Sequence, residues 1–260
     1  MQSSSGSLPW QYPALIVGAM LASGWLLRRS QKTLPIARWQ KVAIGCAAFI
    51  GAMLGAKLPF VLGDWNGLWD GSAWFAHGKT IMTGLAGGYL AVEIAKWTLD
   101  VRVKTGDTFA IPVALAVAIG RVACFEAGCC YGLPTAWPWG VAFPSAGDAL
   151  RRHPTQLYET AFHLALAALL WSCQRQLERR TDSWAEPLRG QLVKLYILAY
   201  LAYRFGSEFL RPEPHWLGGL TVYQWTALAL APIFIVLWLR DASSPCSERR
   251  RSTSESRHST

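Results

Sequence analysis

The chain has 260 residues, of which 52% are hydrophobic and 16% charged, with fourteen tryptophans and a formal net charge of +9. That balance is too apolar and too poor in charge for an ordinary soluble domain. The excess positive charge lies in short tracts between long apolar runs, so it speaks for phospholipid contact rather than nucleic acid. Residues 1–9 lack a basic stretch and no small-residue cleavage site follows the first run, so that run is expected to stay in the membrane.

Seven apolar runs follow in chain order, each close to one bilayer crossing. They cover residues 8–27, 42–63, 80–99, 108–125, 160–173 (extending back through Gln156), 191–210 and 217–239. The pattern predicts an all-α polytopic membrane protein, one domain over residues 1–240. Residues 241–260, rich in Ser and Arg with no apolar period, read as a disordered cytosolic tail. Basic residues collect on alternate connections, among them Arg28, Arg29, Lys32, Arg102, Lys104, Arg175, Arg179 and Arg240. The segment 64–74 has two acids and no base. By the positive-inside rule the N-terminus lies outside and the C-terminus in the cytosol, the topology of a multi-pass bacterial inner-membrane protein.

Ionisable residues inside such runs are costly and are candidates for function. Arg121 and Arg204 fall in the outer halves of the fourth and sixth runs. Snorkelling to headgroups is one account of them. An internal pair is another, since Glu208 lies one helical turn after Arg204, whereas Arg121 has only Glu126 nearby, at an unfavourable spacing. The third is function: two guanidiniums on different helices can grip a phosphate bidentately, and a phospholipid headgroup is the anion at that depth.

The cysteines divide by position. Cys46 and Cys173 sit in apolar runs and read as small buried hydrophobes, and Cys246 lies in the tail. Cys124, Cys129 and Cys130 cluster near the outer surface, open to packing, disulfide or thiol chemistry. Three thiols with His153 or His77 could be imagined around a metal, but their spacing matches no zinc template, so no metal and no cofactor is expected. His163, on an apolar helix, reads as a hydrogen-bonded structural residue.

Several stretches resemble the prolipoprotein diacylglyceryl transferase family. Arg152-His153-Pro154-Thr155-Gln156-Leu157-Tyr158-Glu159 is similar to its R-H-P-S-Q-L-Y-E motif, with Thr for Ser. Gly120-Arg121-Val122-Ala123-Cys124-Phe125, with Gly132 beyond, resembles its G-R-x-x-N-F…G signature. Tyr203-Arg204-Phe205, Glu208 and Arg211-Pro212 resemble its F-R-x-x-x-E-x-x-R-x-P segment; Gln224 stands at its G-Q pair, and Lys57 where it has an arginine. The resemblance implies transfer of a diacylglyceryl group from phosphatidylglycerol to the lipobox cysteine of a prolipoprotein signal peptide, with glycerol phosphate released. It implies a catalytic set of Arg121, Arg204, His153 and Glu208, with Arg121 and Arg204 on the phosphate and Glu208 orienting Arg204. It implies substrate contacts from Lys57, Gly132, Arg152, Gln156, Tyr158, Glu159, Arg211 and Gln224. The attacking thiol belongs to the substrate, so no enzyme cysteine need be a nucleophile; His153 is the candidate base. The chain departs from the family at Cys124 (Asn), Cys129 (Glu) and Thr83 (His). Those departures keep two alternatives open: a related membrane transferase with another acceptor, and a non-enzymatic lipid-binding or thiol-redox protein on the same scaffold.

Overall fold

Without water to satisfy it, backbone in hydrocarbon must close its own hydrogen bonds, and apolar runs of this length do so as helices. The computed structural model describes residues 10–75, 78–179 and 188–243. Among them, seven long helices take up the seven apolar runs: α1 Gln11–Ser30, α2 Arg38–Gly63, α5 Ile81–Thr98, α6 Gly106–Glu126, α7 Thr155–Arg179, α8 Leu192–Ser207 and α9 Val222–Ser243. The 64–74 connection, expected only as a loop, carries two short helices, α3 Trp65–Asp70 and α4 Ser72–Phe75. The Asp64 side chain starts the first of these by accepting from the Gly67 N–H. By length and composition α2, α6 and α9 are apolar enough to cross a membrane. Large apolar side chains stand exposed on the outer faces of α2 and α9, such as Phe49, Ile50, Leu62, Val236 and Leu239, as a lipid-facing surface requires.

Several boundaries differ by a few residues from the apolar runs, with α7 running on to Arg179 and the last helix shifted at both ends. The last helix starts at Val222, not residue 217, because Gly218 and Gly219 adopt left-handed φ of 64° and 72° and cannot extend it. Thr221 and Gln224 then form a reciprocal capping box: Gln224 N–H donates to Thr221 Oγ1 at 3.3 Å, and Thr221 N–H to Gln224 Oε1 at 2.9 Å. At its far end α9 runs on to Ser243, where Asp241 pairs with Lys194 of α8. The rest of the expected tail, with Cys246, lies outside the described residues, as do His77 and the 180–187 linker.

The closest helix crossing is between α2 and α5. A Cβ on Gly87 would lie 2.5 Å from the Gly51 carbonyl oxygen and 2.9 Å from the Gly55 Cα. Small residues let the two backbones touch where lipid offers no hydrophobic drive for association. At the opposite end of the bundle from the arginines, a cavity of about 120 Å³ is lined by apolar side chains with Lys96, Lys104, Lys194, Glu93 and Asp241.

Gly87→Leu should therefore force the crossing apart and cost about 1–3 kcal/mol. Thermal unfolding in detergent should show a clear drop in Tm, while Gly18→Ala, inside α1 where nothing lies within 4 Å, should leave it unchanged or slightly raised.

Candidate functional site

Arg121 near the C-terminal end of α6, Glu159 at the start of α7, Arg204 in the last turn of α8 and Gln224 at the start of α9 meet at one end of the bundle. Consecutive antiparallel helices bring these ends together, and for Arg204 near a C-terminus and Glu159 near an N-terminus the helix dipoles favour the charge.

Glu159 is the centre. Its Oε2 lies 3.1 Å from Arg121 Nε and 3.5 Å from Arg211 Nη2, and its Oε1 accepts from the Tyr200 hydroxyl at 2.7 Å. His163 stands one turn on, with Nε2 at 3.9 Å from Glu159 Oε1 and Nδ1 at 3.1 Å from the Tyr196 hydroxyl, the structural role its position predicted. Arg204 Nη1 reaches Glu208 Oε2 at 2.7 Å, and Thr221 Oγ1 donates to Glu208 Oε1 at 3.1 Å. The Arg204 guanidinium also lies over the Tyr223 ring, 5.2 Å from its centroid. All five charged groups are buried. Three guanidiniums against two carboxylates leave one positive charge in excess. Arg121 Nη2 and Arg211 Nε are buried N–H donors with no hydrogen-bond partner. Buried donors are nearly always satisfied, so these two are open to an acceptor.

The other sequence-derived candidates spread around this centre. Gln156, one turn before Glu159, donates from Nε2 to the Cys129 carbonyl at 2.6 Å while its buried Oε1 has no partner. Gly132 is a point of close approach. Its N–H donates to the His153 carbonyl at 2.8 Å, and a Cβ there would lie 2.6 Å from the Leu210 carbonyl oxygen. Gln224 is buried as the cap of α9 and donates to the Phe205 carbonyl at 3.3 Å. Lys57 is half-buried in the last two turns of α2.

Arg152 and His153 belong to the 127–154 loop, pinned by the short antiparallel pair β1 Val141–Ala142 and β2 Arg151–Arg152. Arg152 Nη2 donates to Asp148 Oδ2 at 2.6 Å, which holds that carboxyl below the usual carboxylate range, and its guanidinium covers the Tyr131 ring. His153 Nδ1 lies 3.1 Å from the Tyr158 hydroxyl, which accepts from Trp139 Nε1 at 2.8 Å. None of these contacts of Arg152, His153 or Tyr158 is with the arginine cluster.

Residues that sequence reasoning missed are Tyr196, Tyr200, Thr221 and Tyr223. Thr221 had a legible signal, the T-x-x-Q box; the tyrosines had none, since a tyrosine in an apolar run is ordinary. Among the cysteines, Cys46 is exposed on α2, not buried, and Cys173 is intermediate. The Sγ atoms of Cys124, Cys129 and Cys130 all lie within 4.8 Å of one another.

Residues 7–240 match the family model described as prolipoprotein diacylglyceryl transferase. The chain is similar to the phosphatidylglycerol–prolipoprotein diacylglyceryl transferase of Clostridium tetani, 33% identical over 78% of this chain and 81% of that protein. It is similar to the enzyme of the same name from Cupriavidus necator, 32% identical over 73% and 71%. It is also similar to that from Bordetella parapertussis, 31% identical over 75% and 76%.

Removing the central charge should be far worse than removing one of its hydrogen bonds. Glu159→Gln leaves buried guanidiniums uncompensated and should cost about 3–5 kcal/mol, whereas Tyr200→Phe should cost about 1 kcal/mol. Melting curves of both in one detergent check the ranking; equal small losses would discard the hub.

Proposed function

This chain belongs to the prolipoprotein diacylglyceryl transferase family, and we propose that its buried arginine cluster receives the phosphate of phosphatidylglycerol. The enzyme transfers the diacylglyceryl group of phosphatidylglycerol to prolipoproteins, a step of lipoprotein biosynthesis. The acceptor in this reading is the lipobox cysteine thiol of the signal peptide.

One observation carries the reading: a single excess positive charge with two unpaired N–H donors, buried at the end of the bundle. A phosphodiester carries one negative charge and has oxygens to accept both donors. The acceptor sulfur attacks the diacylglyceryl carbon that bears the phosphate, the C–O bond breaks, and glycerol phosphate leaves. Negative charge grows on the phosphate as it departs, so guanidiniums already fixed by Glu159 and Glu208 stabilise the transition state more than the ground state. Glu159 and Glu208 act as positioning residues. Arg121, Arg204 and Arg211 touch the phosphate. Gln156 Oε1, buried beside them, is an acceptor for the glycerol hydroxyls. Arg152, His153, Tyr158 and Gly132 shape the loop over the site, and Gln224 fixes the start of α9.

The proposal extends to topology. The seven long helices cross the bacterial inner membrane as one domain, with the N-terminus outside, the arginine cluster in the outer half and the tail from residue 244 in the cytosol. The basic residues on alternate connections support this orientation.

In phosphatidylglycerol liposomes with a lipobox peptide, Arg121→Ala and Arg204→Ala should each lower the transfer rate roughly 10²–10³-fold. Lysine at either position should recover only part, because an ammonium cannot make the bidentate contact. Near-normal transfer in both alanine variants removes the phosphate role. For the orientation, alkaline phosphatase fused after residue 240 should be inactive and a cytosolic reporter there active; the reverse pattern discards the outward site.

A further inference from the structure

The three clustered thiols are gathered by backbone geometry. Helix α6 ends in a Schellman turn: Cys129 N–H donates to the Cys124 carbonyl at 3.1 Å and Gly128 N–H to the Phe125 carbonyl at 2.9 Å, with Gly128 in the left-handed region at φ 64°. That turn sets the residue after the glycine against the residue five before it, and in this chain both are cysteines. Cys130 then takes a left-handed φ of 64° itself, a conformation that costs a non-glycine residue about 1–3 kcal/mol. Thr155 Oγ1 holds it there by donating to the Cys130 carbonyl at 2.8 Å, while Gln156 holds the Cys129 carbonyl. Strain kept in place by two side chains of a neighbouring helix brings the third sulfur to the other two.

We propose that Cys124, Cys129 and Cys130 bind a zinc ion with its fourth position open to the acceptor thiol. Along the chain the spacing fitted no zinc template; in space the three sulfurs already lie within 4.8 Å of one another, close to the roughly 3.8 Å separation set by tetrahedral Zn–S bonds of about 2.3 Å. A disulfide would join two sulfurs and leave the third without a role. Three thiolates on a divalent cation carry one net negative charge, which water screens because Cys129 and Cys130 are exposed. Three protein ligands with one open position is the arrangement of a catalytic zinc, closed on one side by the turn and open where Cys130 is exposed.

The site answers a need of this chain. Thr83 stands where the resemblance implies histidine and its hydroxyl cannot take a thiol proton, and the His153 Nδ1 lies against the Tyr158 hydroxyl, not against the three sulfurs. A thiol that coordinates zinc loses its proton outright. The acceptor thiol replaces the zinc-bound water, and its proton passes to solvent. The zinc-bound sulfur then forms the S–C bond to the diacylglyceryl carbon. The C–O bond breaks, its electron pair stays on the phosphate oxygen, glycerol phosphate leaves, and water returns to the zinc. Nothing is oxidised or reduced.

This inference rests on the proposed transfer reaction, so metal and transfer are measured separately on the purified full chain in detergent. Protein freed of metal with a chelator and reloaded with Zn(II) should retain one equivalent by elemental mass spectrometry. The Co(II)-loaded protein should show a near-ultraviolet thiolate-to-metal band that changes on adding a lipobox peptide and not its Cys→Ser analogue. Chelation should slow transfer roughly 10²-fold or more, and zinc should restore it. Cys130→Ser should lose the metal and Cys130→His keep it, which separates ligand loss from misfolding. Failure to retain zinc while transfer proceeds overturns the zinc site and leaves the proposed function standing. Retention of Cu(I) with zinc refused, or a Cys124–Cys129 disulfide in active protein, overturns it equally. Zinc retained with a Co(II) band blind to the peptide removes the acceptor role, and zinc retained with no transfer in any metal state defeats the transfer reading with it.

Discussion

A carboxylate buried between guanidiniums is the constraint on which the rest of the site depends. Glu159 cannot stay ionised in the interior without Arg121, Arg211 and the Tyr200 hydroxyl, and the arginines cannot stay charged there without Glu159 and Glu208. Each member therefore fixes the position of the others, and with them the ends of α6, α7 and α8. Because the carboxylates number one fewer than the guanidiniums, the set is held together without being neutral. That residual charge is what the headgroup would meet in the proposed reaction.

The scaffold places these charges where helix ends favour them. Arg204 lies in the last turn of α8 and Glu159 in the second turn of α7, so the backbone dipoles add to the ion pairs. Gln224 and Thr221 close the start of α9 beside them, and Thr221 serves twice, as cap and as donor to Glu208. Elsewhere in the bundle the glycine contact of α2 and α5 brings two backbones together with little side-chain volume between them. Over the site, the 127–154 loop is anchored through Gly132, whose missing side chain lets the Leu210 and His153 backbones approach.

The thiol cluster shows how one backbone device can serve two ends. The turn that stops α6 after Arg121 also aligns Cys124 with Cys129, and the same face of α7 that carries Glu159 carries the Gln156 that holds this turn. Guanidiniums and thiols therefore lie about one helical turn apart. In the reaction proposed for this enzyme, the leaving phosphate and the attacking sulfur need that kind of separation.

What the sequence determined by itself was whatever is local. Apolar runs of bilayer length became the long helices, Arg204 paired with Glu208 at one helical turn, and the eight-residue run from Arg152 to Glu159 pointed to the family. The capping box at Thr221 and the glycine that ends α6 were equally local and legible to a closer reading. Contacts between helices were not legible. Arg121 had no partner but Glu126 in its own stretch, and its true partner Glu159 comes from another helix; Arg211 joins the same carboxylate across fifty-two residues. Periodicity reports which face of a helix is apolar, but not which helix that face meets. The partners of Glu159, and the meeting of three sulfurs whose spacing matched no template, were decided only by packing.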